Sequence, residues 1–324
     1  MIFGESGALR QGGALYGTTM AVLGTLAFSL NDMLIKSMSG DYALHQVTLF
    51  RAVGACLFLF GVALPLMGGW SQLRMTRPWM HVWRGLLVVM ANGLFFMGLA
   101  SLPLAEGVAI SFVAPLIITL LSVFVLKETV GPWRWGSIVL GMVGVLVIVR
   151  PGTEAFQWAA LLPVGGAVCY AIMQIVTRRI GAGESAVMLA ITIQAAFIVS
   201  SILSGLLLGH GRWEDIAGPS VAFLMREWVW PASEDWWVFL LMGVASGAGG
   251  FFISAAYRGT DAALVASFEY LAMPMALMWG LLVFGEWPGV VELAGIGLIL
   301  MAGLVLVWRE SRRKAPVLAR GEAG

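Results

Sequence analysis

Two stretches decide how this chain is read: AEGVAISFVAPLIITLLSVFVLKETVGPWRWGSIVLGMVGVLV, residues 105–147, and DAALVASFEYLAMPMALMWGLLVFGEWPGVVELAGIGLILMAGLVLV, residues 261–307. Each runs through a long apolar segment interrupted by a proline, ends that segment on a glutamate, and continues into a glycine-rich apolar segment. Pro115 and Pro274 lie 159 residues apart, while Glu128 and Glu286, and Gly131 and Gly289, lie 158 apart. Upstream, Phe95-Phe96 matches Phe251-Phe252, and Gly24, Phe28 and Lys36 match Gly166, Tyr170 and Arg178 at a constant spacing of 142. The chain is therefore read as one unit written twice, with a longer connector in the second copy.

Composition sets the environment of that unit. Hydrophobic residues make up 60% of the chain and charged residues 11%, with a mean hydropathy of +0.90. Soluble domains carry about 25% charged residues. A bilayer accepts so apolar a surface, provided that backbone groups are satisfied within helices. A net charge of +1 gives no basic face for nucleic acid. Cys56 and Cys169 both sit in apolar runs and read as inert thiols. No Cys/His spacing suits a metal, and no cleavable leader is expected at Met1–Leu15.

About 20 apolar residues cross a bilayer as a helix. Ten segments qualify: 16–36, 45–67, 79–101, 104–126, 133–150, 157–177, 186–208, 236–257, 262–284 and 290–308. With the N-terminus inside, fourteen of the nineteen Lys and Arg fall on the cytoplasmic side, among them Arg74, Arg77, Arg84, Lys127, Arg178, Arg179 and the tail 309–324. Lys36, Arg150, Arg212 and Arg226 fall outside, and Arg51 lies within a helix. The positive-inside rule then places both termini in the cytoplasm of a bacterial inner-membrane protein. The connector 209–235 is external and rich in tryptophan. It is expected to form a short helix, near Val221–Met225, on the outer membrane surface, because indole favours the headgroup layer.

Five helices per copy is an odd number, so the second copy enters the membrane inverted. The expected fold is an all-α membrane protein of ten transmembrane helices, as repeats 16–150 and 157–308. Two similar halves in opposite orientation can exchange conformations around a solute site near the midplane. The segment from Pro115 to LKE and the glycine-rich helix after it, with their counterparts around Phe284-Gly285-Glu286, resemble the EamA repeat of the drug/metabolite transporter superfamily. That resemblance covers roughly 16–308 and implies ten helices, small-metabolite cargo and no ATP. NDMLIK (31–36), HQVTLFR (45–51) and SFEYLAMPMALMWGLLVFGEWP (267–288) resemble a branch that includes importers of riboflavin and of S-adenosylmethionine. Riboflavin, S-adenosylmethionine or an amino-acid-like solute are thus the expected partners, beside membrane lipid; a homodimer is compatible with the same reading. No cofactor is expected.

Polar residues inside spans mark the candidate site, because a charge at the bilayer centre costs about 3 kcal/mol on insertion scales. Asp32 and Lys36 stand one turn apart on the first helix, and Arg51 lies ~9 Å into the second. Asp32 has either base as a partner, or these charges form the end of the solute site; Lys36 alone reads as snorkelling to the headgroups. Glu269, beside Tyr270, stands two turns into the ninth helix where the repeat has Ser111. It reads as a ligand or proton carrier, or as a structural carboxyl bonded to Tyr257. Asn31, Asn92, Gln174 and Gln194 offer hydrogen bonds, and Phe28, Phe112, Tyr257 and Trp279 offer rings. Interhelical bonding and packing are their plainer roles. Glu128 and Glu286 read as structural, at opposite membrane faces. Pro115 and Pro274 are expected to kink helices four and nine. A lipid-modifying enzyme would need converging acids, bases or ligands, whereas His45, His81 and His210 are scattered, and it has no comparable use for inverted symmetry; a non-transporting scaffold would instead have a cavity-free interior.

Overall fold

The computed structural model describes residues 5–66, 69–126, 131–154, 156–180, 185–213, 218–259 and 268–321. Among these, all regular structure is helical. The main elements are α1 Glu5–Ser37, α2 Leu44–Phe58, α3 Pro78–Leu99, α4 Leu104–Ser111, α5 Ala114–Leu126, α6 Pro132–Val149, α7 Leu161–Ile180, α8 Ala186–Leu208, α9 Pro219–Met225, α10 Trp236–Gly259, α11 Ala272–Phe284 and α12 Val290–Gly321. Seven described helical segments are long and apolar enough to cross a membrane. Three shorter apolar helices, Trp135–Val149, Ala272–Phe284 and Val290–Val305, fall on the fifth, ninth and tenth expected spans. The start of the ninth span, 262–267, lies outside the described residues, as do Lys127 and Glu128.

Proline punctuates these helices through the bond it cannot make. Pro115 and Pro274 leave the carbonyls four residues earlier without an amide donor. The fourth span accordingly breaks at Phe112–Val113, between α4 and α5, and the ninth breaks at Tyr270–Leu271, just before α11. Both breaks are covered by tighter turns, Val113 N–H to the Ile110 carbonyl (3.1 Å) and Met273 N–H to the Tyr270 carbonyl (3.1 Å). The second span changes pitch instead. After α2 it winds as one π-helical stretch, Leu59–Ala63, before a final turn, Leu64–Leu66.

Glycine sets how closely the helices approach. A methyl built on Gly54 of α2 would lie 2.9 Å from Gly243 Cα of α10, so these backbones touch. One on Gly24 of α1 would meet Ile253 of α10 at 2.6 Å. In the second half, one on Gly166 of α7 would meet the Ala91 carbonyl of α3 at 2.8 Å, and Gly85 of α3 faces Ala196 of α8 at 2.8 Å. Gly24 and Gly166 are 142 apart, and so are Gly54 and Ala196. The helix pairings follow the same exchange. α1 packs on α10 and α7 packs on α3; α2 packs on α10 and α8 on α3; α11 packs on α1 and α5 on α7; α6 packs on α12, and α2 on α8.

The segment between α8 and α10 is folded onto the protein. Its helix α9 starts on Pro219 at the first turn, a position where the missing amide is harmless, and buries Phe223 completely. The short helix expected near Val221–Met225 is thus present, with its apolar face spent on α2 and α3. Gln46 pairs with both backbone groups of Val229, accepting its N–H and donating to its carbonyl. The Tyr42 hydroxyl accepts from Ala232 N–H (3.0 Å) and donates to Asp235. Arg226 donates to the Ser39 carbonyl (2.7 Å), Ser220 bonds Ser101 (2.7 Å), and Trp228 stacks on His45.

Candidate functional site

The broken helices bring a first group of side chains together. Phe112, at the end of α4, stacks on Tyr270 with ring centroids 5.0 Å apart and planes 19° apart. The two are 158 residues apart, the spacing of Glu128 and Glu286. Glu269 precedes Tyr270 and acts electrostatically on both Tyr270 and Tyr170. Tyr170 in turn accepts a hydrogen bond from Gln174 (2.7 Å). Glu269, Tyr270, Tyr170 and Gln174 therefore form one polar cluster between α7 and the ninth span. Tyr257 falls in α10, and its side chain lies outside the described residues.

A second group surrounds Arg51. Its guanidinium is 4% exposed, lies over Phe197 of α8 at 4.6 Å and over Phe96 of α3 at 5.7 Å, and is attracted by Asp32 of α1. Asp32 accepts a hydrogen bond from Asn31 (3.2 Å). Gln194 stands one turn before Phe197 and is buried. Arg51 Nε and Nη2, Asn31 Oδ1 and Gln194 Oε1 are all buried without a hydrogen-bond partner. By the 142 spacing, Asp32 corresponds to Gln174 and Phe28 to Tyr170. Asn92 joins neither, since its amide donates to the Val88 carbonyl of its own helix (3.2 Å). Trp279 donates to Ser29 (3.1 Å), and Phe28 lies against Gly249.

Lys36 does not snorkel. Its ammonium donates to Glu286 and to the Leu102 carbonyl, each at 2.5 Å, and the Glu286 carboxylate also caps the start of α4 by accepting Leu104 N–H at 2.8 Å. The lysine side chain is 9% exposed. One glutamate thus holds together the end of α1, the start of α4 and the end of α11. Asp32 is left to Arg51. Nearby, Arg150 pairs with Glu292, and Glu106 lies within electrostatic reach of both pairs; Glu106 carried no signal in sequence beyond its place in an apolar run. Arg84, counted with the cytoplasmic charges, is buried six residues inside α3 and donates to Thr177 Oγ1 and the Leu189 carbonyl, each at 2.9 Å. His81, one turn earlier, is buried against Thr192 (3.1 Å).

Apolar helices of this number, closing over buried charge, define a multi-pass integral membrane protein. Residues 15–150 match the EamA-like transporter family. The chain is similar to a riboflavin transporter of Rhizobium johnstonii, 29% identical over 95% of this chain and 96% of that protein. It is similar to an S-adenosylmethionine uptake transporter of Rickettsia prowazekii, 26% identical over 92% and 94%, and to a pseudopaline exporter of Pseudomonas aeruginosa, 24% identical over 90% and 95%. A solved crystal structure covers 94% of this chain and 99% of its own with a TM-score of 0.61 at 20% identity, a likeness of fold. Residues 15–150 thus match an EamA-like transporter family, and the relatives that the whole chain resembles are named as transporters of small molecules.

Proposed function

We propose that this protein is a secondary transporter that moves a small organic metabolite across the bacterial inner membrane by alternating access between two inverted five-helix repeats, with both termini in the cytoplasm. One observation carries the reading: the helix contacts map onto themselves when the two halves are exchanged, α1–α10 onto α7–α3 and α2–α10 onto α8–α3. Two units related in this way have an equivalent inverted arrangement of nearly equal energy, which is what two access states require. The candidate solute site consists of Asp32, Asn31, Arg51 and Gln194 on one side and Glu269, Tyr270, Tyr170 and Gln174 on the other. The Lys36–Glu286 pair holds one face closed. Its counterparts by spacing in the sequence are Arg178 and Glu128.

The names of the relatives favour a heterocyclic cargo of the riboflavin or S-adenosylmethionine kind. Purified protein in liposomes, offered radiolabelled riboflavin and S-adenosylmethionine, tests the reading. Uptake above empty liposomes is expected, with loss in Glu269→Gln or Asp32→Asn. Absence of movement for either solute, in either orientation of the protein, speaks against it.

A further inference from the structure

The edge of Arg51 narrows the cargo further, an inference that rests on the transport reading. A guanidinium is planar and offers its N–H groups only in that plane. Phe197 and Phe96 lie against the group. The two unpartnered nitrogens, Nε and Nη2, are those that point the same way along one edge. Together they make the side-on fork that matches the two oxygens of a carboxylate. Among the described residues no group fills the fork, although Arg51 is 4% exposed. A buried charged donor without a partner costs more than a neutral one, and a protein retains such a group where a ligand supplies the missing acceptor.

The surrounding atoms complete a second half of the pattern. Asn31 Oδ1 and Gln194 Oε1 are buried acceptors without donors, and Asp32 brings a carboxylate that attracts Arg51 without occupying its fork. Asn31 is bonded to Asp32, which attracts Arg51, and Gln194 stands one turn before Phe197, whose ring lies against Arg51, so acceptors for an ammonium share the neighbourhood of the fork. Arg51 and Asp32 cancel each other's charge, so the matching head group is itself neutral overall. We infer that this site takes an α-amino-acid head group, its carboxylate on the Arg51 fork and its ammonium on Asp32, Asn31 and Gln194. The cargo class is then a zwitterionic amino acid derivative rather than a carboxylate-free heterocycle.

The test measures equilibrium binding to detergent-purified protein of four probes: S-adenosylmethionine, decarboxylated S-adenosylmethionine, methionine and riboflavin. Wild type is expected to bind S-adenosylmethionine about 30-fold more tightly than the decarboxylated form, the effect of a charge-assisted hydrogen-bond pair. Arg51→Gln removes that ratio while the decarboxylated form binds at least as tightly as to wild type, since Asp32 loses its counter-charge, which also shows that the variant is folded. Arg51→Lys restores part of it, having the charge without the fork. Equal binding of the two S-adenosyl compounds, an equal loss of both in Arg51→Gln, or binding of riboflavin alone overturns the inference and leaves the transport reading standing. Failure of all four to bind, together with failure of all four to enter proteoliposomes, removes both.

Discussion

Phe112 and Tyr270 stack on each other at the broken middles of two helices, 5.0 Å between ring centres. Each ring stands at the point where a downstream proline has removed a backbone bond. Offset stacking adds about 0.5–1.5 kcal/mol to the burial of two rings, so the contact fastens together the two places where these helices are least stiff. The Tyr270 hydroxyl reaches past Phe112 to α12, and a methyl on Gly303 would lie 1.8 Å from it.

Gly303→Ala therefore forces Tyr270 out of its place. Overpacking of this kind costs about 1–3 kcal/mol. Thermal unfolding in detergent should show the loss, and the loss should vanish when Gly303→Ala is made in a Tyr270→Ala background. An equal loss in both backgrounds would mean that Gly303 matters for another reason.

Lys36 and Glu286 form a half-buried pair, and breaking one partner leaves the other uncompensated. Glu286→Gln should destabilise by roughly 3 kcal/mol, losing also part of its cap on Leu104. Lys36→Met combined with Glu286→Gln should cost less than Glu286→Gln alone. A double-mutant cycle on apparent melting temperature measures the coupling, and simple additivity would contradict the pair.

Gly54 and Gly243 allow two backbones to touch. Gly54→Val should separate α2 from α10 and reduce the yield of monodisperse protein severalfold, whereas substitution at Gly61, where a methyl meets nothing within 4 Å, should leave it unchanged. Size-exclusion chromatography of the two variants makes the comparison.

Tyr42 fastens the segment between α8 and α10. Burial, and beyond it the Asp235 carboxylate, push its hydroxyl above the ordinary value of 10.0. The neutral form is thus favoured in the folded state, so its contribution is complete below pH 10 and disappears as pH rises beyond that. Tyr42→Phe should cost about 1–3 kcal/mol and speed proteolysis of 209–235, with an effect that is flat from pH 6 to 9. A dependence on pH within that window would contradict the assignment.

The spans were legible because runs of apolar residues at bilayer length admit few other readings, and the two helix breaks were legible from Pro115 and Pro274. The run Val221–Met225 marked α9, but the surface it docks on depends on Phe223 meeting helices far away in sequence. Lys36 was misread for the same reason: its partner, Glu286, is 250 residues distant, and local spacing pointed to Asp32. Arg84 lies inside the expected span 79–101 yet counts among the cytoplasmic charges by its nearness to the span end; its partners, Thr177 and the Leu189 carbonyl, are about a hundred residues away in sequence. Asp32, Arg51 and Glu269 were visible as charges in apolar runs. Which of their hydrogen-bonding atoms stay unfilled is a matter of packing that no one-dimensional pattern carries.

The glycine contacts have a consequence for how the molecule divides. α1 and α2 are fastened to α10, from the other copy, while α3 is fastened to α7 and α8. The helix bundles are therefore mixed, each assembled from both halves of the chain. Chains cut in the connector near residue 154 and produced together should reassemble into working protein, whereas either fragment made alone would lack the surface it was built to clasp.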